Sequence, residues 1–194
     1  MREDLIRQGR GITKGSIFDI AAATKSKPED VLAEADVIVM LDLSSSMATR
    51  LNDGTTRYDR AVEALSDIQK NFPGRVVLIT FSGNAKMELG GMPGIASGST
   101  NIYAALELAH QFDDMDSKFY LISDGEPTDT SELRIFDLAK TFKDPINCIF
   151  IGQDDDYSGM KFMKELARIT KGIDSGRIEP AMLGETLKLL VTGK

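Results

Sequence analysis

At 194 residues, with 42% hydrophobic and 27% charged side chains, the chain is long enough for one well-buried α/β domain and short for two. Its 23 basic and 30 acidic side chains leave a formal charge of −7 with no basic stripe, which excludes the positive field that a nucleic-acid backbone requires. The single cysteine, Cys148, excludes an intrachain disulfide and suits a reducing compartment.

Met1 to Arg10 has no apolar signal core, and no stretch approaches membrane-spanning length. The expected location is therefore the cytoplasm, with no membrane partner. Residues 1–35 read as an extension in which Ile17, Phe18, Ile20 and Ala21 to Ala23 suggest one small helix and Pro28-Glu-Asp-Val-Leu32 another. The domain proper is expected over 36–194. Four apolar runs follow, at 37–41, 76–81, 119–122 and 146–151. Near-continuous hydrophobicity marks strands covered on both faces, as in a parallel sheet.

Helical patterns lie between these runs. Arg57 to Phe72 places Ala61, Ala64, Leu65 and Ile68 on one stripe and stops at Pro73-Gly74. Lys86-Met-Glu-Leu89 follows the second run after only a tight turn, so an antiparallel edge strand is expected there. Ile102 to Phe112 carries Leu106 and Leu108, and Ser131 to Phe142 opens with hydroxyl caps and Glu132. Met160 to Thr170 ends at Gly172, and Pro180 to Val191 closes the chain. Alternating strands and helices imply right-handed crossovers. The fold class is α/β: a doubly wound, mostly parallel central sheet of about six strands, one of them a short antiparallel edge strand, flanked by helices on both faces.

The chemistry concentrates at strand ends. Asp42-Leu-Ser44-Ser45-Ser46-Met47 follows the first run directly, and Ser123-Asp124-Gly125-Glu126-Pro127 follows the third. Ser99-Thr100-Asn101-Ile102 sets another hydroxyl just ahead of a helix. In open α/β sheets, ligands bind beyond the carboxyl ends of the strands, where the crossover direction switches. Two carboxylates gathered there repel unless a cation neutralises them. Hard oxygen donors without imidazole or thiolate favour Mg²⁺, Mn²⁺ or Ca²⁺.

These three segments resemble the motifs of the von Willebrand factor A domain: Asp42-x-Ser44-x-Ser46-Met47, then Thr100 before a helix, then Ile122-Ser-Asp124-Gly-Glu-Pro-Thr-Asp129. The resemblance covers roughly residues 36–192 and leaves the extension outside it. It implies a Rossmann-like fold and a metal-ion-dependent adhesion site. In that site the Ser44, Ser46 and Thr100 hydroxyls bind the ion, with Asp42 and Asp124 acting directly or through water. Mg²⁺ is the expected ion, with Mn²⁺ or Ca²⁺ as alternatives. A vacant coordination position would accept a Glu or Asp carboxylate from a protein partner. Intracellular members commonly work with AAA-type ATPases or within multiprotein assemblies, which is the kind of partner implied here.

Other residues read more plainly. Glu126 and Asp129 suit capping or solvent-facing roles, and His110 suits a helix surface. Asp154-Asp-Asp156-Tyr-Ser158-Gly159 with Glu165 fits the spacing of an EF-hand calcium loop. An apolar strand rather than a helix precedes it, however, and Ser158 capping the next helix explains the same residues. A phosphoryl-transfer enzyme with Asp42 as nucleophile is the alternative reading. It lacks the second carboxylate that would serve as general acid, because Ser44 fills that place. A serine hydrolase lacks a Gly-x-Ser-x-Gly elbow, and His110 is its only candidate base. A third reading has residues 1–35 docking the domain into an assembly. The leading expectation is a non-enzymatic, cation-dependent protein-interaction module.

Overall fold

Val37–Asp42 (β1) lies in the middle of the sheet, with every one of its six residues buried. Val76–Phe81 (β2) pairs with it in parallel on one side and Lys118–Ser123 (β4) on the other. In the computed structural model the described residues are 12–51, 53–151 and 157–177, with the single positions 185 and 189. Ala85–Met87 (β3) runs antiparallel on the outer edge of β2. Ile146–Phe150 (β5) and Asp174–Arg177 (β6) extend the sheet in parallel beyond β4. The order β3-β2-β1-β4-β5-β6 is that of a doubly wound sheet whose direction of winding reverses at β1 and β4.

Side chains alternate between two buried clusters. Ile38 and Met40 of β1 join Val77, Ile79, Phe81, Phe119, Leu121 and Phe150 on one face. There they pack under Ile102–Ala109 (α4), Glu132–Ala139 (α5) and Tyr157–Thr170 (α6). Val37, Val39 and Leu41 point to the other face, against Ala61, Ala64, Leu65 and Ile68 of Arg57–Asn71 (α3). Each large apolar side chain removed from water in this way contributes about 1.5–3 kcal/mol. Helix α3 starts where Thr56 and Asp59 form a reciprocal capping box.

Ile17–Thr24 (α1) and Pro28–Leu32 (α2) pack onto the first face, where Ile17, Ala21, Val31 and Leu32 join the common cluster. Their apolar sides are thus directed into this chain rather than outward. Several boundaries differ from the sequence reading. The helix expected over 102–112 turns into a 3-10 turn at His110–Phe112, and the edge strand spans Ala85–Met87 rather than 86–89. Helix α5 ends at Ala139, and Ser131 at its start makes no side-chain cap bond. Helix α6 begins at Tyr157, so Ser158 lies inside it and is not its cap. The helix expected over 180–191 lies outside the described residues, apart from the helical positions 185 and 189. So does Asp154 to Asp156, the first half of the EF-hand-like segment.

Candidate metal centre

The parallel registers carry Asp42, the last residue of β1, and Asp124, the first beyond β4, to the carboxyl edge of the sheet at the winding reversal. Asp42 is fully buried, with 0% of its surface exposed. Its Oδ1 accepts from the Ser44 N–H at 2.7 Å, and its Oδ2 accepts from the Ser123 hydroxyl at 2.6 Å. Burial is the main reason its carboxyl is pushed up from 3.8 to about 6, an effect that the bonds from Ser123 and Ser44 moderate.

The hydroxyls form a chain toward the second carboxylate. Ser46 Oγ donates to Asp124 Oδ1 at 2.7 Å, and Ser44 Oγ lies 2.9 Å from Ser46 Oγ. A hydroxyl has one proton, so Ser44 is the donor across that contact, and both oxygens keep lone pairs. Asp124 Oδ2 is engaged by the guanidinium of Arg57, in a pair whose side chains are 7% and 0% exposed. Arg57 has no place in the motifs. The one sequence signal for it is its position as the first residue of α3, where the helix dipole disfavours a cation that lacks an acidic partner.

Backbone contacts lace the motif loops together. Ser45 Oγ donates to the Gly98 carbonyl at 3.1 Å and accepts from the Gly98 N–H at 3.0 Å, while Ser97 N–H donates to the Leu43 carbonyl at 2.6 Å. Thr100 N–H donates to Thr128 Oγ1 at 2.9 Å, and Thr128 N–H donates back to the Thr100 carbonyl at 3.0 Å. Ser99 donates to Asp129, and Ser158 of α6 donates to Glu126. Both outer acids are solvent-facing, as the sequence suggests, with Asp129 tied to the Ser99 loop and Glu126 to the first turn of α6. Gly159 lets α6 approach closely, because a Cβ there would sit 3.2 Å from the Gly125 backbone.

These contacts leave a recess of about 400 Å³, open to solvent, lined by Ser46, Thr100, Asp124, Gly125, Glu126, Pro127 and Thr128. Three of the five predicted site residues line it directly; Ser44 is buried in contact with Ser46, and Asp42 is fully buried. Among the described residues no group of three or more His, Cys, Asp or Glu side chains is arranged to hold a metal ion. Two carboxylates and three hydroxyls remain as the available donors. That set of hard oxygens fits Mg²⁺, Mn²⁺ or Ca²⁺ and does not fit zinc or copper. The paired Arg57 guanidinium demonstrates that the cluster accepts positive charge.

In the loop between β3 and α4, Met92 and Ile95 are exposed, Ile95 at 74%, whereas Pro93 between them is buried and its carbonyl accepts from the Tyr58 hydroxyl at 3.3 Å. His110 is half-buried, with Nε2 lying 3.0 Å from Thr141 Oγ1 and its ring edge-on to Phe142. Cys148 is buried and free, and burial pushes its thiol up. No described helix is long and apolar enough to cross a membrane.

Switch-point topology and a recess built from three strand-end loops define an open α/β domain with the von Willebrand factor A fold. Solved structures agree. An aerotolerance-related membrane protein from Bacteroides fragilis, bearing multiple mutations to serine, superposes with a TM-score of 0.63 at 18% identity, over 82% of this chain and 100% of that one. A von Willebrand factor type A protein from Catenulispora acidiphila gives 0.56 at 14% identity, over 81% of this chain and 42% of that one. A pilus adhesin from Lactobacillus rhamnosus GG in an open conformation gives 0.56 at 14% identity, over 82% of this chain and 30% of that one. The chain thus spans the whole of the first neighbour and less than half of the other two. No family model and no curated protein matches the sequence.

Proposed function

We propose that this chain is a divalent-cation-dependent protein-interaction module. Ser44, Ser46 and Thr100 would hold the ion through their hydroxyls, with Asp42 and Asp124 acting directly or through water, and a Glu or Asp carboxylate of a partner would complete its shell. Mg²⁺ is the first candidate; Mn²⁺ and Ca²⁺ suit the same oxygens. The ion would supply the charge that links two acidic groups, and the chain's residues would orient it and form the rim. The carrying observation is that Ser46, Thr100 and Asp124, from three separated segments, line one recess open to solvent at the winding reversal.

A partner within an AAA-type ATPase complex or another multiprotein assembly suits a domain of this kind, and the lone buried thiol suits the cytoplasm. One structural neighbour is itself named an adhesin, which supports a binding role. The phosphoryl-transfer alternative is disfavoured because a nucleophile must be reachable. Asp42 is fully buried, with both oxygens already accepting hydrogen bonds. Isothermal titration of the EDTA-stripped, dialysed protein with MgCl₂ or MnCl₂ tests the reading. Saturable binding by the wild type that Asp42→Ala abolishes is expected; silence in the wild type would falsify it.

A further inference from the structure

The Arg57–Asp124 pair sits where the proposed cation would need its second carboxylate. Both Asp124 oxygens are taken, Oδ1 by the Ser46 hydroxyl and Oδ2 by Arg57. Asp42 and Asp124 with Arg57 sum to −2 + 1 = −1 when all are ionised, so a divalent ion added beside the guanidinium takes the cluster to +1. With Arg57 withdrawn, the same ion takes it to zero. Close like charges in a partly buried site repel strongly, so both arrangements cannot be held at once.

Resting on the metal-binding reading above, we propose that Arg57 is a tethered competitor of the cation. Its guanidinium neutralises Asp124 in the ion-free domain and must leave Asp124 when the ion binds. Its attachment allows this exchange. Arg57 opens α3 immediately after the loop that closes through the Arg50–Thr56 bridge, and its N–H donates to the Thr49 carbonyl at 3.3 Å. The backbone there is fixed, while the long side chain reaches 67 positions along the chain to its partner. The helix dipole opposes a cation at the first residue of α3, so Asp124, and not the helix, is what retains the guanidinium. Among the described residues Asp124 is the one side-chain partner of the Arg57 guanidinium, so turning Asp124 to the ion frees it. The exchange lowers the apparent ion affinity and makes ion binding and release of Arg57 one event.

Calorimetric titration of wild type, Arg57→Gln and Arg57→Lys with MnCl₂ tests this, together with arginine side-chain NMR of the wild type during MgCl₂ titration. Arg57→Gln is expected to bind Mn²⁺ about tenfold or more tightly than wild type, with Arg57→Lys remaining near wild type. The Arg57 side-chain resonance, identified by its loss in Arg57→Gln or, where that variant does not fold, in Arg57→Lys, is expected to shift in step with saturation by Mg²⁺. Equal or weaker binding by a folded Arg57→Gln overturns the competition and leaves the metal site standing. An unmoved Arg57 resonance while calorimetry records bound ion does the same, and needs no folded variant. Absence of ion binding by every form removes both the site and its competitor.

Discussion

The sheet carries an Asp–Arg pair at each of its ends, and the two pairs live in different solvents. At the amino end, Asp36 immediately precedes β1 and its two carboxylate oxygens accept from Nε and Nη2 on one edge of the Arg75 guanidinium, with side chains 32% and 46% exposed. At the carboxyl end, Asp124 and Arg57 are all but withdrawn from water. A solvated pair gains little because water screens both charges. A buried pair gives up hydration that its mutual attraction barely returns, and it persists only where the surrounding structure holds it. The same two side-chain types therefore anchor a strand entrance at one end and form a desolvated ion pair beside the buried Asp42 carboxyl at the other.

The sharpest way to break this contrast is to strand one partner at the buried end. Asp124→Ala leaves the Arg57 guanidinium without its carboxylate and removes the acceptor of the Ser46 hydroxyl. The expected loss is about 3–5 kcal/mol in urea unfolding with EDTA present. Simultaneous Arg57→Met, which removes the stranded charge, is expected to recover a large part of it. No recovery would mean that Asp124 acts through backbone packing rather than through charge.

Protonation offers the next largest effect. The Asp42 carboxyl titrates near 3.8 when exposed and near about 6 when folded, so between those values the native state holds the extra proton. Stability from this group is full below the lower value and is lost as pH rises through the upper one, by about 3 kcal/mol in all. In EDTA, wild type should lose most of that relative to Asp42→Asn between pH 4 and pH 7, since the amide does not titrate. A bound divalent ion would stabilise the ionised form, so saturating Mg²⁺ should flatten the wild-type curve at pH 7. Parallel pH curves for the two proteins without metal would show that Asp42 is ionised at no cost.

The contrast also explains what was legible in the sequence. The strands β1, β2, β4 and β5 announce themselves as apolar runs, and the polar residues that interrupt them at Asp42 and Asp124 stand out for that reason. Alternating strands and helices imply parallel strands, whose carboxyl ends share one edge, but the strand order that sets β1 beside β4 comes from the structure. Arg57 was not legible, because its partner lies 67 positions away and its own surroundings read as an ordinary helix start. Strand β6, Asp174–Arg177, has no apolar run and joins with a register shift, so only the neighbouring β5 defines it. Ser158 looked like a cap because capping and reaching for Glu126 require the same hydroxyl near the same helix start.

The smallest expected effect is the control that gives the others meaning. Asp36→Ala removes the exposed partner of Arg75, whose guanidinium remains solvated and lies 5.7 Å from the centre of the Phe72 ring. The main chain at this end keeps its own bonds, since the Asp36 and Val37 N–H groups both donate to the Arg75 carbonyl, at 3.2 and 3.1 Å. Neither bond needs the lost carboxylate. The loss should therefore be about 0.2–1 kcal/mol and should shrink further in 1 M salt, where screening reaches within about 3 Å. Urea unfolding at low and high ionic strength measures both quantities. A loss approaching that of Asp124→Ala, or one indifferent to salt, would mean that the amino-end pair also carries structural charge. The functional asymmetry of the sheet would then lack its electrostatic basis.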